Sequence, residues 1–158
     1  MTLSMVLALA FLIGCVCGLR SMTGPAVVCW GAHLGWLQLA GSKLGFLHHP
    51  VSLFVFTLCA LGEIVADKLP KIPSRTMPGP LLVRIVFGGL CGAGLCISAG
   101  AAPLPGILMG GIGAIAGTFG GYHIRRWLTV GKGLPDFVIA LLEDAVAVGG
   151  GMLIVSRF

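Results

Sequence analysis

The chain has 158 residues, of which 57% are hydrophobic and only 9% are charged. A soluble domain carries about 25% charged residues, so this composition excludes an ordinary soluble protein and indicates an integral membrane protein. The net charge of +5 does not indicate a nucleic-acid partner, because the basic residues cluster in short loops, as in loops that face anionic lipid. We expect one integral membrane domain, 1–158, in contact with membrane lipid and not with nucleic acid.

Five apolar stretches predict membrane-spanning helices, at 3–19, 51–66, 81–100, 104–122 and 136–155. No basic residue precedes the first stretch, so we interpret it as a retained helix and not as a signal peptide. The segment 26–49 is apolar but is interrupted by glycines and histidines, which favours short half-buried or re-entrant helices; a full extra span is the alternative. The predicted fold class is an all-α, polytopic transmembrane bundle of about five spans plus these short helices.

The basic loops predict the orientation of this bundle. In a five-span arrangement the loops 67–80 and 123–135 lie on the same side of the membrane, and each carries three basic residues. The positive-inside rule makes that side cytoplasmic. The N-terminus is then predicted to be cytoplasmic, and the segment 20–50 to be external.

Four of the five acidic residues lie within or at the end of apolar stretches: Glu63, Asp67, Glu143 and Asp144. A charge inside a membrane span costs roughly 2.5–3.5 kcal/mol on insertion scales, so such residues usually have a function. Glu63 and Asp67 are four residues apart and share a helix face, whereas Asp144 points about 100° away from Glu143. These carboxylates are suited to binding a proton or a cation; the alternative is a structural ion pair of Glu63 or Glu143 with Arg20 or Arg126.

Two short similarities suggest an internal repeat. Ala60-Leu61-Gly62-Glu63 is similar to Ala140-Leu141-Leu142-Glu143, and Gly14-x-x-x-Gly18 is similar to Gly113-x-x-x-Gly117. The paired spans would run in opposite directions, as in the inverted repeats of many secondary transporters. The predicted halves are 1–80 and 104–158, joined by a linker span at 81–103, and the repeat would place Glu63 and Glu143 in equivalent positions.

Metal and redox chemistry have little support in the sequence. The six cysteines form no C-x-x-C pair, and no H-x-x-x-H or carboxylate-rich metal motif is present. Free thiols that pack as small hydrophobic groups explain the cysteines better. We therefore predict no cofactor and no metal.

Several elements together resemble a known family: Gly18-Leu19-Arg20, Leu61-x-Glu63, Ala66-Asp67-Lys68-x-Pro70 and Leu142-Glu143-Asp144. They are similar to a family of small bacterial and plastid membrane proteins catalogued as domain of unknown function four-one-two-six. The resemblance covers most of the chain, and the Asp-Lys-x-Pro and Glu-Asp elements are its most specific parts. It implies a membrane location, for which we expect the bacterial inner (plasma) membrane, and it implies no activity.

The leading functional hypothesis is a transporter- or channel-like protein with a buried carboxylate pair, Glu63 and Glu143, that responds to protons or cations. The candidate residues for binding a ligand, small ion or solute are Glu63, Glu143, Arg20, Asp67, Asp144, Arg126 and His123. One alternative is a membrane scaffold or assembly protein that does not transport, and the glycine-rich helix faces also suit a homo-oligomer. The other is an intramembrane enzyme in which Arg125 and Arg126 hold a lipid phosphate, although we predict that the chain is not an enzyme.

Overall fold

A computed structural model describes residues 1–67 and 76–158 of the chain. Six α-helices follow one another: α1 (Leu3–Leu19), α2 (Thr23–His33), α3 (Pro50–Ala66), α4 (Pro78–Ser98), α5 (Pro103–Arg126) and α6 (Asp136–Val155). A short 3₁₀ helix, Gly45–His48, precedes α3, and a π-helical turn, Trp127–Gly131, extends α5. The described ranges contain no strand, so the predicted all-α helical bundle is confirmed. Residues 68–75, with three of the basic residues used to predict the orientation, lie outside the described ranges.

Three helices are long and apolar enough to cross a membrane: α4, α6 and the segment Pro103–Gly131 that contains α5. Helices α1 and α3 are apolar and have 17 residues each, which gives a length of about 25 Å at 1.5 Å per residue. That length is at the lower end of what a span requires. The chain is therefore an integral membrane protein, as its composition predicted.

Glycines bring α1, α4 and α5 into close contact at the centre of the bundle. A β-carbon at Gly14 would overlap the carbonyl oxygen of Gly110 in α5, and one at Gly18 would overlap the carbonyl oxygen of Ala114. On its other side, α5 packs on α4, where Gly92 faces Gly106. Small residues let helix backbones approach in this way in membranes. The glycines of α5, among them Gly106 and Gly110, therefore serve helix packing.

The same contacts show which way the helices run. Gly14 of α1 lies opposite Gly110 of α5, and Gly18, one turn later, lies opposite Ala114. Residue numbers therefore increase in the same direction along both helices, so α1 and α5 are parallel. The predicted inverted repeat pairs these two spans and requires them to run in opposite directions. The structure therefore gives no support to this repeat.

Helix α2 returns the chain across the bundle. Its first turn lies beside Glu63 near the end of α3, and Gly31 near its end packs on Val155 at the end of α6. The chain then continues through turns to Gln38, whose amide N–H donates to Ser98 Oγ at the far end of α4 (2.9 Å). Helices α1, α3 and α5 consequently run one way, and α2, α4 and α6 run the other way.

This topology differs from the five-span arrangement on which the predicted orientation rests. Two short helices form in this part of the chain, as expected, namely α2 and the 3₁₀ helix Gly45–His48. The segment 20–50 nevertheless crosses the bundle, because it begins at one end and reaches α3 at the other, so it is not a loop on one side. The N-terminus of α1 consequently lies at the end opposite to the end of α5. The five-span arrangement missed this crossing because α2 has only 11 residues, too few to register as a span.

Candidate functional site

All five acidic residues of the chain meet three arginines at one end of the bundle. We call this group the ionic network; its members are Arg20, Glu63, Asp67, Arg84, Arg125, Asp136, Glu143 and Asp144. They come together because α1, α3 and α5 end at this side of the bundle and α4 and α6 begin there. Charges buried at a helical bundle end are costly unless they are paired, and here they pair with one another.

Arg20, directly after α1, connects that helix to α3 and α6. Its side chain is only 2% exposed, and its Nη2 atom lies 2.9 Å from Asp67 Oδ2 and 2.7 Å from Asp144 Oδ1. Its Nε atom is buried without a hydrogen-bond partner among the described residues. Arg20 is thus a counter-ion to Asp67 and Asp144, whereas the sequence suggested Glu63 or Glu143 as its partner.

Glu63 binds the start of α2. One carboxylate oxygen accepts hydrogen bonds from the amide N–H of Ser21 (2.9 Å) and from its hydroxyl (2.6 Å), and the other accepts from the amide N–H of Met22 (2.8 Å). The first N–H groups of a helix have no partner within the helix and carry the positive end of its dipole. Glu63 therefore caps α2 from outside and fixes α3 against it.

Arg84, near the start of α4, is buried. One of its guanidinium nitrogens donates to the carbonyl oxygen of Gly18 at the end of α1, and the other lies 3.9 Å from Glu63. A signal for this burial is present in the sequence. Arg84 is four and eight residues before Gly88 and Gly92, so it shares the helix face that packs on α5.

Arg125, near the end of α5, contacts three carboxylates. Its Nη1 atom lies 2.8 Å from Asp67 and 3.4 Å from Glu143, and its Nη2 atom lies 2.7 Å from Asp136. Asp136, in the first turn of α6, is thus an ion-pair partner of Arg125. These carboxylates take up the guanidinium that the enzyme alternative assigned to a lipid phosphate.

The sequence-based candidates at this end of α5 were Arg126 and His123. Both side chains are exposed, and neither one contacts a charged side chain within the part of the chain that the structure describes. Arg125, which the sequence suggested only for the enzyme alternative, continues the four-residue spacing of Gly113, Gly117 and Gly121. That stripe is buried against α1, so the spacing could have selected Arg125.

Asp67 is shared between two arginines of the network. Its Oδ2 atom lies 2.9 Å from Arg20 and 2.8 Å from Arg125, so this one oxygen joins the end of α3 to the ends of α1 and α5. Asp67 also occupies the C-terminal cap of α3. Asp67 therefore ends α3 and also connects it to Arg20 and Arg125.

The two glutamates occupy different parts of the network. Glu63 contacts Arg84, and Glu143 contacts Arg125. The neighbouring Asp144 contacts Arg20, so consecutive carboxylates on α6 pair with arginines of different helices, as their 100° separation requires. Of the predicted site residues, the structure brings together Arg20, Glu63, Asp67, Glu143 and Asp144.

Among the described residues, no group of three histidine, cysteine, aspartate or glutamate side chains is arranged to hold a metal ion. The sulfur atoms of Cys17 and Cys91 lie 3.8 Å apart as buried free thiols between α1 and α4.

A cavity of about 310 Å³ lies next to the network, between α2, α3 and α6. We call it the lateral cavity; it is lined by Thr23, Ala26, Val27, Trp30, Thr57, Ala60, Leu61, Ile64, Val148 and Met152. Helices α3 and α6 each pack on α2 and make few or no contacts with each other, which leaves this space between them. Its wall is almost entirely apolar.

Comparisons with known proteins place the chain in a family. Searches of curated proteins and of solved structures gave no significant match. The family model described as "Domain of unknown function (DUF4126)" matches residues 7–156, a range that contains every member of the ionic network. The chain therefore belongs to this family, as its Asp-Lys-x-Pro and Glu-Asp elements predicted.

Proposed function

We propose that the protein is transporter- or channel-like and that the ionic network is its gate, which responds to protons or cations. The observation that carries this proposal is the position of Asp67, whose single oxygen joins α3 to both Arg20 and Arg125. Protonation of Asp67, or a cation that replaces an arginine beside it, weakens both links together. Ion pairs that exchange partners in this way are a common device of conformational switching.

Helix α3 is the element that such a gate would move. Only Ala60 of its 17 residues is buried, whereas most of its surface is apolar and exposed. Its position therefore depends strongly on the contacts at its end, where Glu63 and Asp67 lie. Displacement of α3 from α2 would widen the lateral cavity, which gives the gate a space to open.

We propose, from the positive-inside rule, that the network end of the bundle faces the cytoplasm. Arg125, Arg126 and Lys132 lie in and after the last turn of α5 at this end. Both termini of the chain are then external, which revises the predicted cytoplasmic N-terminus. Arg20, an external basic residue in the five-span arrangement, now falls on the cytoplasmic side. We propose the bacterial inner (plasma) membrane as the location.

Proteoliposomes test the proposal. A pH step is imposed across vesicles that contain an entrapped pH-sensitive dye, and sodium- and potassium-sensitive dyes are used in parallel. We expect a flux above that of empty vesicles that varies with pH, and we expect Asp67→Asn to remove this pH dependence. Arg126→Gln also removes one charge at this end of the bundle, but from an exposed side chain that contacts no charged side chain among the described residues, and it should behave as the wild type.

The same experiment decides against the proposal if the wild type carries none of the three ions (protons, sodium and potassium) into vesicles faster than they enter empty vesicles.

A second candidate, a membrane scaffold that does not transport, is favoured by the several hydrogen bonds that hold Glu63 to α2. It predicts that Glu63→Gln and Glu143→Gln lower stability and that the wild type has no flux to lose. The exposed apolar face of α3 would then bind lipid or a second copy of the chain.

A further inference from the structure

A groove runs along the outer surface of the bundle, between α4 and α5. We call it the α4–α5 groove, and its volume is about 730 Å³. Gly89 of α4 and Gly111 of α5 line it and are buried, so no side chain fills its floor. Exposed apolar side chains, such as Val86 and Leu108, form its rim. In a bilayer this rim faces hydrocarbon, so the groove is open to lipid chains.

Lys43 lies at one end of the groove. It belongs to the turns that follow α2, its side chain is exposed, and it lines the groove together with Ile97 of α4 and Pro103 of α5. The other described lining residues are apolar. The groove therefore has an apolar length and a single ammonium group at its end, which is the pattern of an amphiphile with an anionic head.

The end of the bundle at which Lys43 lies has no acidic side chain. All five acidic residues of the chain belong to the ionic network at the opposite end. Lys43 consequently has no aspartate or glutamate of its own chain to pair with. A lysine at the membrane surface attracts anionic headgroups, and a zwitterionic headgroup satisfies it less because that headgroup carries its own cation.

The length of the groove matches one leaflet of a bilayer. Ile97 and Ile85, at its two ends on α4, are 12 residues apart, which corresponds to about 18 Å at 1.5 Å per residue. One leaflet contributes about 15 Å of hydrocarbon, half of a core of about 30 Å. Beyond Ile85, α4 continues to Pro78 without lining the groove. A lipid chain of one leaflet fits this length, whereas a helix of a second copy would require the full span.

We propose that the α4–α5 groove binds one acyl chain of an anionic phospholipid and that Lys43 binds the phosphate of its headgroup. The chain lies along Gly89 and Gly111, in the leaflet at the end of the bundle away from the ionic network. Neither the ionic network nor the lateral cavity takes part in this site. The proposal is therefore tested by binding alone and does not depend on the gate.

Native mass spectrometry of the full chain in detergent measures lipid binding directly. The protein is titrated with dioleoyl phosphatidylglycerol and, in parallel, with dioleoyl phosphatidylcholine, which has the same chains and a zwitterionic headgroup. We expect one saturable phosphatidylglycerol, bound roughly fivefold more tightly than phosphatidylcholine, the value of one lysine at an anionic lipid surface. Glycerol 3-phosphate, which has the charge but no acyl chain, should not displace it.

Paired variants test the two parts of the site. Lys43→Gln should remove the preference for phosphatidylglycerol and Lys43→Arg should keep it, whereas Lys132→Gln, at an exposed lysine of the network end, should have no effect. Gly111→Leu should abolish saturable binding, because a β-carbon there meets only Ile85 at 3.6 Å and the side chain extends into the groove. Gly120→Leu, in open space on the same helix, should bind as the wild type.

The proposal is overturned if the two lipids bind equally, if Lys43→Gln keeps the preference, or if glycerol 3-phosphate displaces the lipid. Saturable binding that survives Gly111→Leu also overturns it. So does a dimer that Gly111→Leu dissociates, because the groove would then hold a second copy. Near-ultraviolet circular dichroism shows whether each variant keeps the fold, and Ile112→Trp, at an exposed lining position, fills the groove if Gly111→Leu does not fold.

Discussion

Removing the guanidinium of Arg20 should destabilise the protein much more than the same change at an exposed arginine. The substitution Arg20→Met keeps the length of the side chain and removes its contacts with Asp67 and Asp144. Loss of one partner from a buried ion pair costs about 3–5 kcal/mol, because the remaining charge stays buried.

The structure sets the expected value at the lower end of that range, at about 3 kcal/mol of unfolding free energy. Asp67 is 21% exposed and keeps Arg125 at 2.8 Å, so water and a second arginine screen its charge. Asp144 is only 11% exposed and accounts for most of the cost. Adding Asp144→Asn to Arg20→Met should therefore recover part of the loss, with a coupling energy of about 1–3 kcal/mol.

Unfolding in mixed micelles with increasing SDS measures these free energies. Arg126→Met is the matched control, since Arg126 is exposed and should change stability by no more than about 0.5 kcal/mol. Equal effects of Arg20→Met and Arg126→Met would refute the reasoning. A double variant whose loss is the plain sum of the single losses would show that Arg20 and Asp144 do not form a pair.

Three further outcomes are expected. Gly14→Ala should destabilise the bundle because its β-carbon overlaps the backbone of α5, whereas Gly149→Ala, in open space on α6, should stabilise it by about 0.5–1 kcal/mol in the same SDS titration. Glu63→Gln should cost about 1–3 kcal/mol, since three hydrogen-bond donors at the start of α2 lose a charged acceptor, and unchanged stability would contradict that role. In a cysteine-free background, an impermeant maleimide should label Ser42→Cys in intact cells and Lys132→Cys only after lysis; the reverse pattern would invert the orientation.

The helices were largely predictable because long apolar stretches have few alternatives in a membrane. The expected spans 3–19 and 136–155 match α1 and α6, and the expected 51–66 differs from α3 by one residue. The return of the chain through α2 was not predictable from hydropathy. A helix of 11 residues followed by turns crosses the bundle only because other helices cover its backbone, and that cover is a tertiary property.

The carboxylates of the site were predictable because acidic residues within apolar stretches are rare. Which arginines pair with them was harder to predict, because it depends on the helix face on which each arginine lies. Arg125 and Arg126 are adjacent in sequence, yet only Arg125 continues the buried glycine stripe and contacts Asp67. Arg84 likewise continues the four-residue spacing of Gly88 and Gly92, the glycines of α4 that pack on α5. The expected equivalence of Glu63 and Glu143 rested on short matches in a glycine- and alanine-rich sequence, and the parallel arrangement of α1 and α5 gives it no support.

The movement of α3 is the central claim, and a distance between two spin labels tests it most directly. Labels at Leu58 on α3 and Val146 on α6 lie on exposed surfaces of the two helices that flank the lateral cavity. Pulsed electron spin resonance should show a longer distance at acidic pH than at neutral pH in the wild type, and the longer distance at both pH values in Asp67→Asn. A distance distribution that changes with neither pH nor Asp67→Asn would contradict the gate.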